Sequence, residues 1–310
     1  MVHEISNDSI KLKKVILDLW SNKFIIIITT LVFFTFSIFY SLSIPNEYRV
    51  EATLISSGLD ETSLDNKNVN LNSGFNGILG SLTSTYLDGV SPETKIALEV
   101  LSSWSFIDDF IAKNNLAPHL LAAKRWDKTE NKIIFDENIY DESNGSLSNL
   151  YQENINLSQI LYKKFKNRLN IVINSDNGFI NLSFDYFSPY LARKWLEKFI
   201  EEINLTMKNR ASDSAKKNLL FLEKSFESTN TAETKLVISS LIKQQIAKQM
   251  LAEASPEYSF VYVSKIMTPS QKFKPRRSLI VIIFSIVGFL SSIFLIFAYR
   301  YFKNILNENE

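Results

Sequence analysis

Residues equipped for catalysis are sparse in this chain of 310 residues. It holds two histidines, His3 and His119, and no cysteine. His119 follows Pro118 and reads as a loop residue, so no histidine-based triad or metal cluster is expected. Without cysteine, disulfide and thiolate chemistry are excluded. Gly74, Gly77 and Gly80 in "GFNGILG" have the look of a phosphate loop. No Lys-Ser/Thr follows them and no strand precedes them, so the stretch reads as a surface loop. Asp108-Asp109 and Glu201-Glu202 are neighbours on helical pattern, where adjacent side chains diverge. They read as a solvated face, not an acid–base pair. The expectation is a non-enzymatic chain with no catalytic residue, no cofactor and no metal.

One cluster does concentrate chemistry. Lys272, Lys274, Arg276 and Arg277 stand directly before a long apolar run, interleaved with Pro269 and Pro275. At a membrane surface these cations would attract the phosphates of anionic lipid. The plainer account is a set of snorkelling anchors with no ligand. The prolines remove backbone donors and fix φ, so the segment cannot extend the helix that follows. It should hold the strand before it at a set angle to that helix.

Two apolar stretches must position this cluster. Phe24–Ile44 and Leu279–Tyr299 are each 21 residues long and free of ionisable side chains. Each would span about 31 Å as a helix, enough for a bilayer core. The first has a basic leader (Lys11, Lys13, Lys14, Lys23) but is too long for a usual signal peptide and lacks a small-x-small cleavage pair, so it reads as a retained anchor. Two spans place both termini on one side. Six basic residues flank each side of the pair, so the count alone does not orient it. The first helix with its basic leader argues for cytoplasmic termini, with 1–23 and 300–310 as tails. Residues 45–278 would then form a neutral domain outside the membrane, which is not a nucleic-acid binder. The tails are too short for a kinase, nucleotide-binding or DNA-binding module. The spans carry no group for a proton relay. They do carry Ser37 and Ser41, and Gly288 and Ser292, each pair four apart, a spacing that allows close helix association.

The intervening segment reads as α+β. In "NEYRVEATL", Tyr48, Val50, Ala52 and Leu54 alternate with polar residues, which predicts a half-buried strand. Residues 57–89 read as a loop. Ser91-Pro92-Glu93 opens a helix running to about Leu116, with Ile96, Val100, Leu101, Trp104, Ile107 and Ile111 as its apolar face. Residues 125–148 are charged and mixed. "LNIVI" and "FINLSFDYF" flank Ser175-Asp176-Asn177-Gly178 as a hairpin. Ser188-Pro189 caps a helical pattern with neither Pro nor Gly until Pro256. A continuous rod would reach roughly 98 Å; a break at Ser228–Ala232 would give two antiparallel helices instead. The predicted division is a membrane-proximal base (45–189 and 255–278) and a helical arm (190–254) of coiled-coil character. Glu257–Ile266 reads as a last strand able to pair antiparallel with the first.

This order of parts resembles the polysaccharide co-polymerase family, the Wzz-type chain-length determinants of bacterial inner membranes. The resemblance rests on Pro45 with "NEYRVEATL", the long helical region with "SLIKQQIAKQMLAEASPEYSF", the "SGFNGILGSL" loop, and "EYSFVYVSKIMTPSQKFKPRRSLIV" before the closing span. Pro269, Pro275 and Arg276 match the family's spaced prolines followed by a basic residue, while Lys272 stands where a middle proline often does. The resemblance implies ring-like homo-oligomers that act with a membrane polymerase on a nascent lipid-linked glycan and set its length without being enzymes. It implies the kinase-less, lipopolysaccharide O-antigen class. Capsule, exopolysaccharide or enterobacterial-common-antigen-type glycans, and a periplasmic exporter adaptor, remain open alternatives.

Overall fold

The computed structural model describes residues 20–57, 92–148, 156–174 and 178–308. In chain order its elements are α1 (Lys23–Ser43), β1 (Tyr48–Ser56), α2 (Pro92–Ser102), α3 (Trp104–Lys113), α4 (Ala117–Leu121), β2 (Ala123–Asp127), β3 (Lys132–Phe135), β4 (Tyr140–Asp141), β5 (Ser146–Leu147), α5 (Leu157–Lys166), β6 (Leu169–Ile173), β7 (Ile180–Tyr186), α6 (Pro189–Ser228), α7 (Ala232–Ala254), β8 (Phe260–Tyr262) and α8 (Arg277–Glu308). They form two units. Met1–Asn46 with Phe273–Glu310 is the smaller, and Glu47–Lys272 the larger. The glycine loop around Gly74, Gly77 and Gly80, the Ser91 cap and the basic leader Lys11, Lys13 and Lys14 lie outside the described residues.

The larger unit is built on a four-stranded antiparallel sheet of order β6-β7-β1-β8. β1 and β7 run in register from Tyr48↔Tyr186 to Leu54↔Ile180. The alternation read from the sequence is the reason: Tyr48, Val50, Ala52 and Leu54 are all buried, facing the same core as Ile180, Leu182, Phe184 and Tyr186. β6 and β7 form the expected hairpin, with Gly178 in the left-handed region at φ +69°, where glycine carries no Cβ penalty. α3, α5 and the first half of α6 complete the core. Phe110 packs on Phe165 and Phe199 with ring centroids 5.7 and 4.9 Å apart, and Phe165 on Phe184 at 5.2 Å. Burying each such ring stabilises by about 2–3 kcal/mol. On the opposite face, Arg49 Nε and Nη2 donate to the Asp185 carboxylate at 2.7 and 2.9 Å, joining directly paired positions of β1 and β7.

Ser188 accepts from the Leu191 N–H at 3.4 Å and Pro189 opens α6, as the sequence predicts. The helical pattern then resolves as a break. α6 is 40 residues long, about 60 Å. Thr229 and Thr231 take extended dihedrals (ψ 132° and 129°), and α7 returns antiparallel. Lys208 Nζ donates to the Glu253 carbonyl, Asn218 Nδ2 donates to Gln245 Oε1, and Lys235 Nζ lies over the Phe226 ring. Folding back buries Ile238 and half-buries Leu219, Leu222, Phe226, Leu241 and Ile242, which a single rod leaves in water.

Other expectations are corrected. The helix expected over 92–116 breaks at Ser103, whose hydroxyl accepts from the Phe106 N–H at 3.3 Å and caps α3. Of the expected face, Leu101, Ile107 and Ile111 are buried and Val100 is half-buried, whereas Ile96 and Trp104 are exposed; Ala97, Leu98, Phe106 and Phe110 join the core. Residues 125–148 contain two small hairpins, β2–β3 and β4–β5. The last strand shrinks to β8, paired with Leu54–Ser56 at the C-terminal end of β1. His119 sits on the short helix α4, not a loop. Its ring packs against Trp195 and Phe135 at 5.0 and 5.2 Å, and its Nδ1 lies 3.1 Å from the Tyr186 hydroxyl.

Asn204 is a buried polar residue within the α6 core stripe. Its Oδ1 accepts from the Ser259 and Phe260 N–H groups at 2.9 and 2.8 Å, and its Nδ2 donates to the Phe260 carbonyl at 2.8 Å. The residue is 3% exposed. Asn204→Leu would strand three buried backbone groups, so we expect a loss of about 2–4 kcal/mol in denaturant unfolding of the detergent-solubilised chain. An unchanged midpoint would contradict this role. Burial pulls the His119 pKa down to about 4. Its folded-state value is depressed, so its contribution is present above about pH 6.5 and lost as pH falls toward 4. His119→Gln should flatten that part of the stability–pH curve, with a contribution of about 3 kcal/mol removed.

Candidate functional site

The smaller unit holds most of the residues singled out above. α1 and α8 have the length and apolar character to cross a membrane over Lys23–Ser43 and Arg277–Tyr299, with mean hydropathies of 2.2 and 2.9. Most of their large apolar side chains are exposed within the chain itself, Phe24, Phe39 and Phe294 among them. That is the surface a helix presents to lipid, not the surface of a buried core helix.

Where the two helices meet, the side chains become small. Ser37 and Ser41 on α1 are buried, as are Gly288, Ser292 and Ile296 on α8. These α8 positions are spaced by four and share one face. A Cβ placed on Gly288 would lie 2.6 Å from the Phe33 Cβ and 2.9 Å from its Cγ, so the backbones approach as closely as they do only because Gly288 has no side chain. Phe284 sits 6.3 Å from Phe36 and 5.7 Å from Tyr40, filling the seam toward the α8 N-terminus. The Ser37 and Ser292 hydroxyls each donate to a carbonyl three residues back, Phe34 and Phe289, at 2.6 Å. The Ser41 hydroxyl is buried without a hydrogen-bond partner in the described structure.

A polar clip lies at the start of α8. Arg277 Nη2 donates to Asn46 Oδ1 at 3.2 Å, joining the residue after Pro45 to the first residue of α8. The Arg276 carbonyl accepts from the Leu279 and Ile280 N–H groups at 3.0 and 3.2 Å, starting the helix. Lys274 Nζ stands 5.5 Å from the centre of the Phe273 ring. The segment from Val263 to Arg276 forms no helix, as its prolines require. Pro269 and Lys272 belong to the larger unit, whereas Pro45, Lys274, Pro275, Arg276 and Arg277 belong to the smaller. The structure therefore brings Arg277 to the Pro45 end of α1 and aligns Ser37, Ser41, Gly288 and Ser292 on the inter-helix seam. Asn46 and Phe33 were not anticipated. Neither has a pattern of its own in the sequence, since each is defined by a partner more than 200 residues away.

Among the described residues no group of three His, Cys, Asp or Glu side chains is placed to hold a metal ion. The arrangement is one of close helix packing, with Lys274, Arg276 and Arg277 at the start of a long apolar helix.

Residues 8–113 match the family model Wzz, chain length determinant protein. The resemblance to Wzz chain length determinants is shown by this match. The matched stretch contains α1, Pro45, β1, α2 and α3. Pro269, Pro275 and Arg276 fall beyond it. No curated protein matches the chain. Among solved structures, one described as a full-length bacterial polysaccharide co-polymerase aligns over 93% of this chain and 97% of its own, at 12% identity and a TM-score of 0.37. A fragment of WzzB, a polysaccharide co-polymerase from Salmonella Typhimurium, aligns over 74% of this chain and 100% of its own, at 11% identity and a TM-score of 0.30.

The close approach of Phe33 leaves no room for a side chain at Gly288. Gly288→Leu should separate α1 from α8 and lower the melting temperature in micelles, with a cost of about 1–3 kcal/mol. Leu290→Ala, at a position 58% exposed, should leave it unchanged. Equal melting of both variants would refute the seam.

Proposed function

We propose that this protein is an oligomeric regulator of polysaccharide chain length in a bacterial inner membrane. Both termini lie in the cytoplasm and the larger unit lies in the periplasm. The protein assembles as a ring of identical subunits and serves a membrane polymerase as a scaffold. The polymerase does the chemistry, and the scaffold biases how many repeat units are added to the lipid-linked glycan before release. The polymer is of the O-antigen type. The observation that carries this reading is the Wzz family match over residues 8–113. It is supported by an α+β unit flanked in sequence by two apolar helices of spanning length. A further part of the proposal is that Lys272, Lys274, Arg276 and Arg277 meet the phosphates of membrane lipid or of the glycan carrier.

Surface polysaccharide from deletion and complemented cells, separated on a gel, tests the reading. Deletion should spread or shift the length distribution while total polymer remains, and complementation should restore the mode. Loss of all polymer on deletion would assign an obligatory catalytic or export role instead. Co-purification with an outer-membrane channel would favour an exporter adaptor.

A further inference from the structure

At the root of the α6–α7 hairpin the larger unit carries an open cleft of about 660 Å³. α6 contributes Glu201 and Asn204, the chain after α7 contributes Pro256 and Glu257, β8 contributes Tyr262, and Ser57 follows β1. The floor is fixed, because both polar atoms of the Asn204 amide are engaged by the backbone of Ser259 and Phe260. Among the described residues two carboxylates line the cleft, and no lysine or arginine does. Tyr262 is half-buried. Burial first, and then Glu201, Glu197 and Glu257, push its phenol well above the usual range. It therefore remains a hydroxyl that both donates and accepts.

We propose that this cleft is a saccharide subsite that takes neutral or amino-bearing sugar residues and turns acidic ones away. The inference rests on the chain-length reading above and deepens it by naming the place and the class of sugar. Its volume lies within the roughly 300–1,000 Å³ of small-molecule sites. Sugar hydroxyls donate, and the Glu201 and Glu257 carboxylates are strong acceptors for them. The Tyr262 ring offers apolar surface to the C–H face of a pyranose, with its hydroxyl as a polar handle. An amino group on the sugar would gain from the local negative field, and a carboxylate on it would be repelled.

Saturation-transfer NMR on the full chain in micelles tests this with three probes: the trimers of N-acetylglucosamine, glucosamine and galacturonic acid. The first two should receive saturation, and the third at least roughly fivefold less. Tyr262→Ala and Glu257→Gln should each reduce transfer to the neutral trimer about fivefold, the loss of one hydrogen bond or ring contact. Glu257 lies on the irregular chain after α7 and outside the buried core, so its variant keeps the test valid if Tyr262→Ala misfolds. Equal transfer to the acidic trimer, no transfer to any probe, or no change in the Glu257 variant would overturn the subsite. None of these results bears on whether deletion alters polymer length, so the two readings fail separately.

Discussion

One buried amide holds the exit of the larger unit in place. The chain enters this unit on β1 and leaves it on β8, and these strands are neighbours in one sheet. β8 is only three residues long, too short to secure itself by ladder hydrogen bonds. Asn204 supplies what the strand lacks, pairing from α6 with the N–H and carbonyl of Phe260 and with the N–H of Ser259 just before the strand. The same amide forms part of the cleft floor. Entry, exit, hairpin root and cleft are thereby fixed to one another through a single side chain.

The two units are held by different physics. The larger excludes water from the aromatic set of Phe110, Phe165, Phe184 and Phe199. The smaller has no such resource if lipid surrounds it, since lipid tails are as apolar as the side chains. Its cohesion comes from the close approach that Gly288 permits, from the Phe284–Tyr40 contact and from the clip between Arg277 and Asn46. A seam of this kind tolerates little added volume, whereas the exposed positions beside it tolerate much.

The features legible in the sequence were those written in short-range periodicity. Alternation revealed β1 and its buried face. Spacing by three and four revealed α6, and uncharged runs of 21 residues revealed both apolar helices. What stayed hidden depends on tertiary context. The Ser103 break looks like continuous helix until its cap on the Phe106 N–H is seen. The β2–β3 and β4–β5 hairpins are too short and too charged to show an apolar period. Asn204 did leave a trace, because an amide among Ile200, Ile203 and Met207 sits where an apolar residue should be. The seam residues were visible as spacing, but their partners Phe33 and Asn46 were not, since helix crossing is set by shape over long sequence separations.

The core contacts of α6 run out well before the helix does. Its buried residues end at Ala215, and beyond that point α7 offers one buried residue, Ile238, before the turn. Leu220, Phe221, Leu236 and Val237 lie exposed on the far portion. The outer half of the hairpin is thus held by little more than two-helix packing and propensity, while its inner half shares the cooperativity of the sheet. Free energy of local opening must fall along the length of a single helix. Amide exchange would read this as a gradient within one uninterrupted element, slow near Phe199 and fast near Phe221.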